Sequence, residues 1–213
     1  PFLQRVHGIG VREAAIMYGA PLAAFAALGT FIGGFLSEKL SGRFPAVVAW
    51  LPSVGLLVAV PAYIAAFFSP TLLMAFILWA IAAVGHYAYL GAQYSVGTGI
   101  VSPRSRATTI AVLLLIISLI GNGIGPLFVG AMSDFFMARE IGLSGYGDLA
   151  AAFDPKMCGA QILELGEAGP ALCAAYGDGL RQSMAATVLV FIAAAACYYM
   201  ASRTYLRDRF NPE

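Results

Sequence analysis

Three polar residues in one apolar stretch, His86, Tyr89 and Gln93, are the positions best suited to chemistry in this sequence. Residues three or four apart lie on the same face of a helix, so these side chains would offer hydrogen-bonding groups along one apolar wall. An imidazole with an ordinary pKa of about 6.5 gains or loses a proton near neutral pH. We therefore expect this face to contact a substrate or a coupling proton. The alternatives are a neutral His86 bonded to a neighbouring helix, and a Gln93 that belongs to the membrane–water interface.

The sequence has no pattern typical of a catalytic or metal site. Its two histidines, His7 and His86, fall at different predicted depths, and no nucleophile and acid accompany either of them. The cysteine and histidine spacings do not suit a metal, and no glycine-rich phosphate loop follows a strand. An intramembrane enzyme needs several polar groups at one depth. We therefore predict a protein without enzyme activity, cofactor or metal.

The composition predicts a membrane protein. Hydrophobic residues make up 60% of the 213 residues and charged residues 11%, and the mean hydropathy is +0.82. A soluble domain carries about 25% charged residues. The net charge is +1, and the sequence has no basic cluster large enough to bind nucleic acid. The predicted fold class is all-α, a polytopic transmembrane helical bundle.

Five apolar stretches are long enough to cross a bilayer as helices. The segment 138–182 is polar, glycine-rich and acidic, so we expect it to be a loop. The short loops beside Arg43 and Arg104 and the C-terminal tail carry most of the lysine and arginine outside that segment. The positive-inside rule therefore places these parts in the cytoplasm and the loop 138–182 outside. The predicted spans lie near 14–36, 46–68, 71–97, 105–136 and 183–200.

The fourth span carries Gly121, Gly125 and Gly130, and Pro126 directly follows Gly125. Glycines that leave one side of a helix bare let another helix approach closely, which is how helices pack in lipid. Proline removes a backbone donor and bends the helix. We therefore expect a bent span that packs and moves against another helix. Asn122, between two glycines, would bind substrate or, as is more usual, hold a helix pair together.

Two cysteines, Cys158 and Cys173, lie in the loop that we place outside the cytoplasm. Disulfides persist in oxidising compartments, so we expect these two residues to be bridged.

Two motifs resemble those of a transporter family. The stretch GFLSEKLSGRF, 34–44, resembles the glycine, acid, base and glycine-arginine signature in a cytoplasmic loop of the major facilitator superfamily, with Glu38 and Lys39 where aspartate and arginine are usual. The stretch GNGIGPLFVG, 121–130, resembles the glycine-proline motif of the family's helices five and eleven. With RSRA at 104–107 and GAMSD at 130–134, the chain looks most like the Spinster-like branch.

The resemblance implies that the chain carries helices eight to twelve of a major facilitator C-terminal half, spanning 1–213. Because the chain begins with Pro1, we also expect a piece of a longer protein that lacks the N-terminal half and nearly all of helix seven. The family's cavity lies between the halves, so the third span would be a cavity wall. Glu38, Lys39 and Arg43 would form a cytoplasmic latch; the alternative is a plain topology signal.

The function that follows is a secondary active transporter of a small organic or lipid-like solute, working by alternating access, with proton coupling left open. The alternative is a non-transporting membrane sensor derived from the same fold. The expected partners are the N-terminal transmembrane half of the same protein, membrane lipid and the substrate. The expected location is the bacterial inner membrane, with a cytoplasmic C-terminal tail.

Overall fold

The computed structural model describes residues 9–145, 158, 166 and 168–210, and it is a bundle of helices with no strand among these residues. Five helices are long and apolar enough to cross a membrane. This confirms the all-α transmembrane fold predicted from composition. The helices are α1 (Val11–Ser41), α2 (Val47–Phe67), α3 (Leu72–Gly99), α4 (Pro103–Leu143) and α5 (Ala168–Asp208).

Four of the five helices depart from regular α geometry. Two of them contain a π segment, Ala14–Gly19 in α1 and Ile117–Ile124 in α4. Such wide turns are rare in helices and often occur at functional sites. α3 is interrupted at Ala88 and α5 at Leu189, each by a single residue between two helical segments.

α2 lies at the centre of the bundle, where it contacts α1, α3 and both parts of α5. Its core contacts include Val60 and Phe67, which cluster with Leu180 and Val188 of α5. The buried hydroxyl of Ser53 donates a hydrogen bond of 2.8 Å to the carbonyl oxygen of Ala195. Apolar packing and one buried polar contact therefore hold α5 against α2.

α3 lies against glycines of its neighbours. A Cβ atom added at Gly29 of α1 would lie 2.8 Å from the Cα of Val84, and one added at Gly33 would lie 2.6 Å from the Cα of Ala88. One added at Gly85 of α3 would lie 2.8 Å from the carbonyl oxygen of Gly55 in α2. Because real Cβ atoms do not approach so closely, only glycine permits these backbone contacts, as is common in membrane helix pairs.

α4 is held near both of its ends. Close to its start, Leu113 packs on Gly97 of α3. A Cβ atom added at Gly97 would lie 2.7 Å from Cδ1 of Leu113. Close to its other end, Ile141 is fully buried in a cluster with Leu172 and Tyr176 of α5. The middle of α4 is different, because none of its eighteen most apolar consecutive residues is buried in the described structure.

The segment 138–182, predicted to be a loop, is helical at both ends. α4 continues to Leu143, and α5 begins at Ala168 rather than near residue 183. The reason is packing: the glycines and charges of this segment make it look like a loop, yet Leu172, Ala175 and Tyr176 bury their side chains against α4. Most of the stretch between the two helices lies outside the described residues.

Further contacts tie this end of α4 to α5. The side-chain amide of Gln182 donates a hydrogen bond of 2.9 Å to a carboxylate oxygen of Glu140. Cys158 and Cys173 are joined by a disulfide, with their Cα atoms 5.6 Å apart. The disulfide fastens Cys158, which follows α4 in the chain, to α5.

Candidate functional site

His86 lies inside the bundle, surrounded by aromatic rings from three helices. Its ring centroid is 4.5 Å from that of Phe191 in α5, 5.7 Å from that of Tyr89 and 6.0 Å from that of Tyr63 in α2. Nδ1 of His86 and the hydroxyl of Tyr63 share a hydrogen bond of 3.2 Å, in which the tautomer of the imidazole decides the donor. The pair can hold a proton or pass it across one hydrogen bond.

The partner of His86 is one that the sequence analysis did not single out. A hydrogen bond to a neighbouring helix is the arrangement named above as the alternative to a cavity role. Tyr63 lies in a uniformly apolar helix, and only the register of α2 against α3 brings it to His86. The role of His86 in handling a substrate or proton stays a prediction.

Tyr89 and Gln93 follow His86 along α3, and the ring of Tyr89 stacks on that of His86 with 13° between the planes. The side-chain nitrogen of Gln93 is buried and has no hydrogen-bond partner among the described residues. A buried donor without a partner costs about 1–3 kcal/mol. Gln93 is therefore the member of this face whose hydrogen-bonding capacity is still open.

A groove of about 900 Å³ lies between the middle of α4 and α5. Its glycines are open: nothing lies within 4 Å of a Cβ atom added at Gly121 or Gly130, and Gly125 would meet only Ile120 of its own helix. Phe191, which contacts His86, also lines this groove. The full lining is Ile120, Gly121, Ile124, Gly125, Pro126, Phe128, Val129, Gly130 and Ser133 of α4, and Leu180, Met184, Thr187, Val190 and Phe191 of α5.

A second cavity, of about 460 Å³, lies among α1, α2 and α3, with Met184 of α5 at its wall. It is apolar except for the two tyrosines Tyr63 and Tyr87, so the hydrogen-bonded partner of His86 forms part of its wall. The remaining lining residues are Gly19, Leu22, Ala23, Ala26, Phe67, Trp79, Ala83 and Met184.

The structure does not bring every predicted site residue together. Asn122 is exposed and does not line the groove, so it lies apart from His86. Glu38, Lys39 and Arg43 are exposed near the end of α1, and none of them forms an ion pair with a described residue. The ammonium of Lys39 lies 5.6 Å from the ring centroid of Phe35 instead. The latch stays a prediction.

Comparisons with known proteins agree on one group of relatives. No family model matches the sequence. The chain is 30% identical over 207 residues to an MFS-type efflux pump of Mycolicibacterium smegmatis (strain ATCC 700084 / mc(2)155), which covers 97% of this chain and 40% of the pump. The chain therefore spans less than half the length of this curated relative.

Two solved structures are similar over the whole chain. Both are crystal structures of a bacterial homologue of the human lysosomal transporter Spinster in inward-facing conformations, one occupied and one unoccupied, and both are 65% identical to this chain. The TM-scores are 0.93 for the occupied and 0.90 for the unoccupied structure. The match covers 100% of this chain and 46% and 44% of those chains.

Proposed function

Because the chain belongs to the Spinster-like transporters of the major facilitator superfamily and corresponds to a C-terminal half, we propose that it forms one wall of a secondary active transporter. The protein is an integral membrane protein. The proposed activity is movement of a small organic or lipid-like solute across the bacterial inner membrane by alternating access. The missing N-terminal half supplies the opposite wall.

The observation that carries this proposal is the open glycine face of α4. Gly29 and Gly33 of α1 and Gly55 of α2 are covered by α3, whereas Gly121 and Gly130 have nothing within 4 Å of an added Cβ atom. A bare glycine face is the kind of surface on which another helix packs closely in a membrane. We infer that a helix of the rest of the protein lies against this face in the complete transporter.

The shape of α4 supports movement at the same place. The π segment Ile117–Ile124 and the nearby Pro126 are both recognised causes of helix bending. A helix that bends where it meets another part of the protein suits a mechanism in which one half rocks against the other.

The polar face of α3 supports contact with a solute. The amide nitrogen of Gln93 is buried and unpartnered, so it would gain an acceptor only when α3 moves, and we assign that acceptor to the substrate. The groove and the second cavity are lined almost entirely by apolar side chains, which favours an amphiphilic solute over a strongly polar one. Proton coupling is proposed to use His86, with Tyr63 as its hydrogen-bond partner.

The orientation is part of the proposal and rests on the distribution of lysine and arginine. The exposed Lys39 lies in the last turn of α1 and the exposed Arg43 just after it. Arg203, Arg207 and Arg209 lie near the end of α5. The positive-inside rule places these ends in the cytoplasm. There, Glu38, Lys39 and Arg43 are proposed to act as a latch that breaks and re-forms as the halves move.

The test is transport by the full-length protein in proteoliposomes. A panel of amphiphilic solutes is offered with and without an imposed proton gradient, and we expect at least one solute to be carried faster than in protein-free vesicles. In intact cells, a Ser41→Cys variant should resist an impermeant thiol reagent added outside. Absence of flux for the whole panel, with binding of a solute still measurable, would favour the sensor over the transporter, and labelling of Ser41→Cys would reverse the orientation.

A further inference from the structure

A polar pocket lies far from the groove, where the lysine- and arginine-rich ends of the helices meet. It is a pocket of about 380 Å³ between the end of α1, the start of α2, α3 and the end of α5. We refer to it as the Arg209 pocket. Its lining residues are Ser41, Gly42, Pro45, Val48, Ser95, Tyr205 and Arg209.

The charge of this pocket is uncompensated. Among the described lining residues Arg209 alone is charged, and it forms no ion pair with a described residue. Its backbone neighbour is fixed, because the amide of Phe210 donates a hydrogen bond of 3.0 Å to the carbonyl oxygen of Gly99 in α3. The backbone that carries Arg209 is therefore fixed beside the pocket, and the Arg209 side chain itself is exposed.

A second donor is available beside Arg209. Tyr205, another lining residue, is only 9% exposed, and its hydroxyl, which lies against Gly99, forms no hydrogen bond with a described residue. The two serines, by contrast, already donate their hydroxyl protons: Ser41 to the carbonyl oxygen of Glu38 and Ser95 to that of Gly91. The free donors of the pocket are thus a guanidinium and a nearly buried phenol, a pair suited to a phosphate oxygen.

The surroundings favour a lipid over a soluble anion. Phe44 precedes the lining residue Pro45 and is 63% exposed, and Phe210 follows Arg209 and is 37% exposed. Exposed apolar rings at the ends of membrane helices offer contacts to acyl chains that a soluble anion lacks. A ligand with a phosphate on Arg209 and acyl chains along these rings would satisfy both the charge and the apolar flanks.

We propose that the Arg209 pocket binds the headgroup phosphate of an anionic membrane lipid. The bound lipid would bridge the turn between α1 and α2, the end of α3 and the end of α5, and so stabilise this face of the half. This site is separate from the groove and from His86, and it does not depend on which solute is transported.

The experiment uses the full-length protein and compares three purified forms. These are the natural sequence, Arg209→Gln and Arg207→Gln. Arg207 is the matched control, because it is close in sequence, lies outside the pocket lining and contacts Asp208 at 3.2 Å. Binding of phosphatidylglycerol and of phosphatidylcholine is measured by native mass spectrometry and by the thermal shift that each lipid causes.

We expect the natural protein and Arg207→Gln to prefer phosphatidylglycerol, and Arg209→Gln to bind it at least tenfold more weakly. Tyr205→Phe, which keeps the ring and removes the hydroxyl, should lose part of the same preference. Equal losses in the two arginine variants would overturn the proposal, since they would indicate diffuse attraction to a basic surface. A thermal shift with inorganic phosphate as large as that with phosphatidylglycerol would overturn it as well, because the ligand would then be a free anion.

Discussion

Two glycine faces of the molecule have the same kind of sequence and opposite surroundings. The face of α1 at Gly29 and Gly33 is covered by the backbone of α3, so closely that a methyl group does not fit. The face of α4 at Gly121 and Gly130 has nothing within 4 Å. A glycine face in a membrane helix thus marks a close approach, but only the three-dimensional arrangement tells whether the approach is already made within the half or is reserved for another part of the protein.

The largest expected effect is on the covered face. Gly33→Ala places a Cβ atom against the backbone of Ala88, which cannot turn aside as a side chain can. We expect a loss near the upper end of the usual overpacking cost, about 3 kcal/mol, and a clearly lower Tm of the full-length protein in detergent. Gly34→Ala is the control, because the space beside Gly34 is open. Equal Tm values for the two variants would mean that α3 does not pack on α1 as described.

A smaller effect, and one of a different kind, is expected on the open face. The Cβ atom of Gly125→Leu meets nothing beyond its own helix and the groove of about 900 Å³ has room for the rest of the side chain, so the Tm should change little. In the complete transporter the side chain would push away the packed helix, and about 1–3 kcal/mol shifts a two-state equilibrium by roughly fivefold to more than a hundredfold. Transport rates and distances between reporter pairs on the two sides of the membrane measure this shift. Normal transport with unchanged distances would make α4 a scaffold only.

The smallest effect is expected where His86 meets Tyr63, inside the covered region. Tyr63→Phe removes one hydrogen bond, worth about 1 kcal/mol, and leaves the ring in place. If the pair handles a proton, Tyr63→Phe should alter the pH profile of transport and His86→Ala should alter it more, with little loss of folded protein. Transport measured across pH decides this. Unchanged rates and profiles in both variants would identify His86 as a packed core histidine.

The sequence predicted the architecture because its signals are local. Five apolar stretches, with lengths set by the bilayer, required only composition and period, and the glycine positions were visible from spacing alone. The ends of the helices were less predictable. Residues 168–182 look like a loop, but Leu172 and Tyr176 bury their side chains against α4, and such stabilisation by tertiary packing is invisible in one segment read by itself.

The candidate site was only partly predictable, since its contacts join distant parts of the chain. His86 and Tyr89 were identified by helical spacing, and their rings do stack. Tyr63 and Phe191 were missed because they come from helices whose register against α3 no sequence period reveals. Asn122 and His86 were both reasonable polar candidates, yet they face different surroundings: one is exposed on α4 and the other is enclosed by aromatic rings.

The way in which α4 is held has a mechanical consequence. One end packs on α3 through Leu113, and the other is clamped to α5 through Ile141 and the contact of Glu140 with Gln182. A helix fixed at both ends cannot rotate about one of them as a rigid body, so its middle can move only by bending. Movement of α4 that changes the width of the groove is then expected as added or lost curvature between Ile117 and Gly130, where the wide turns and the proline make the helix easiest to deform.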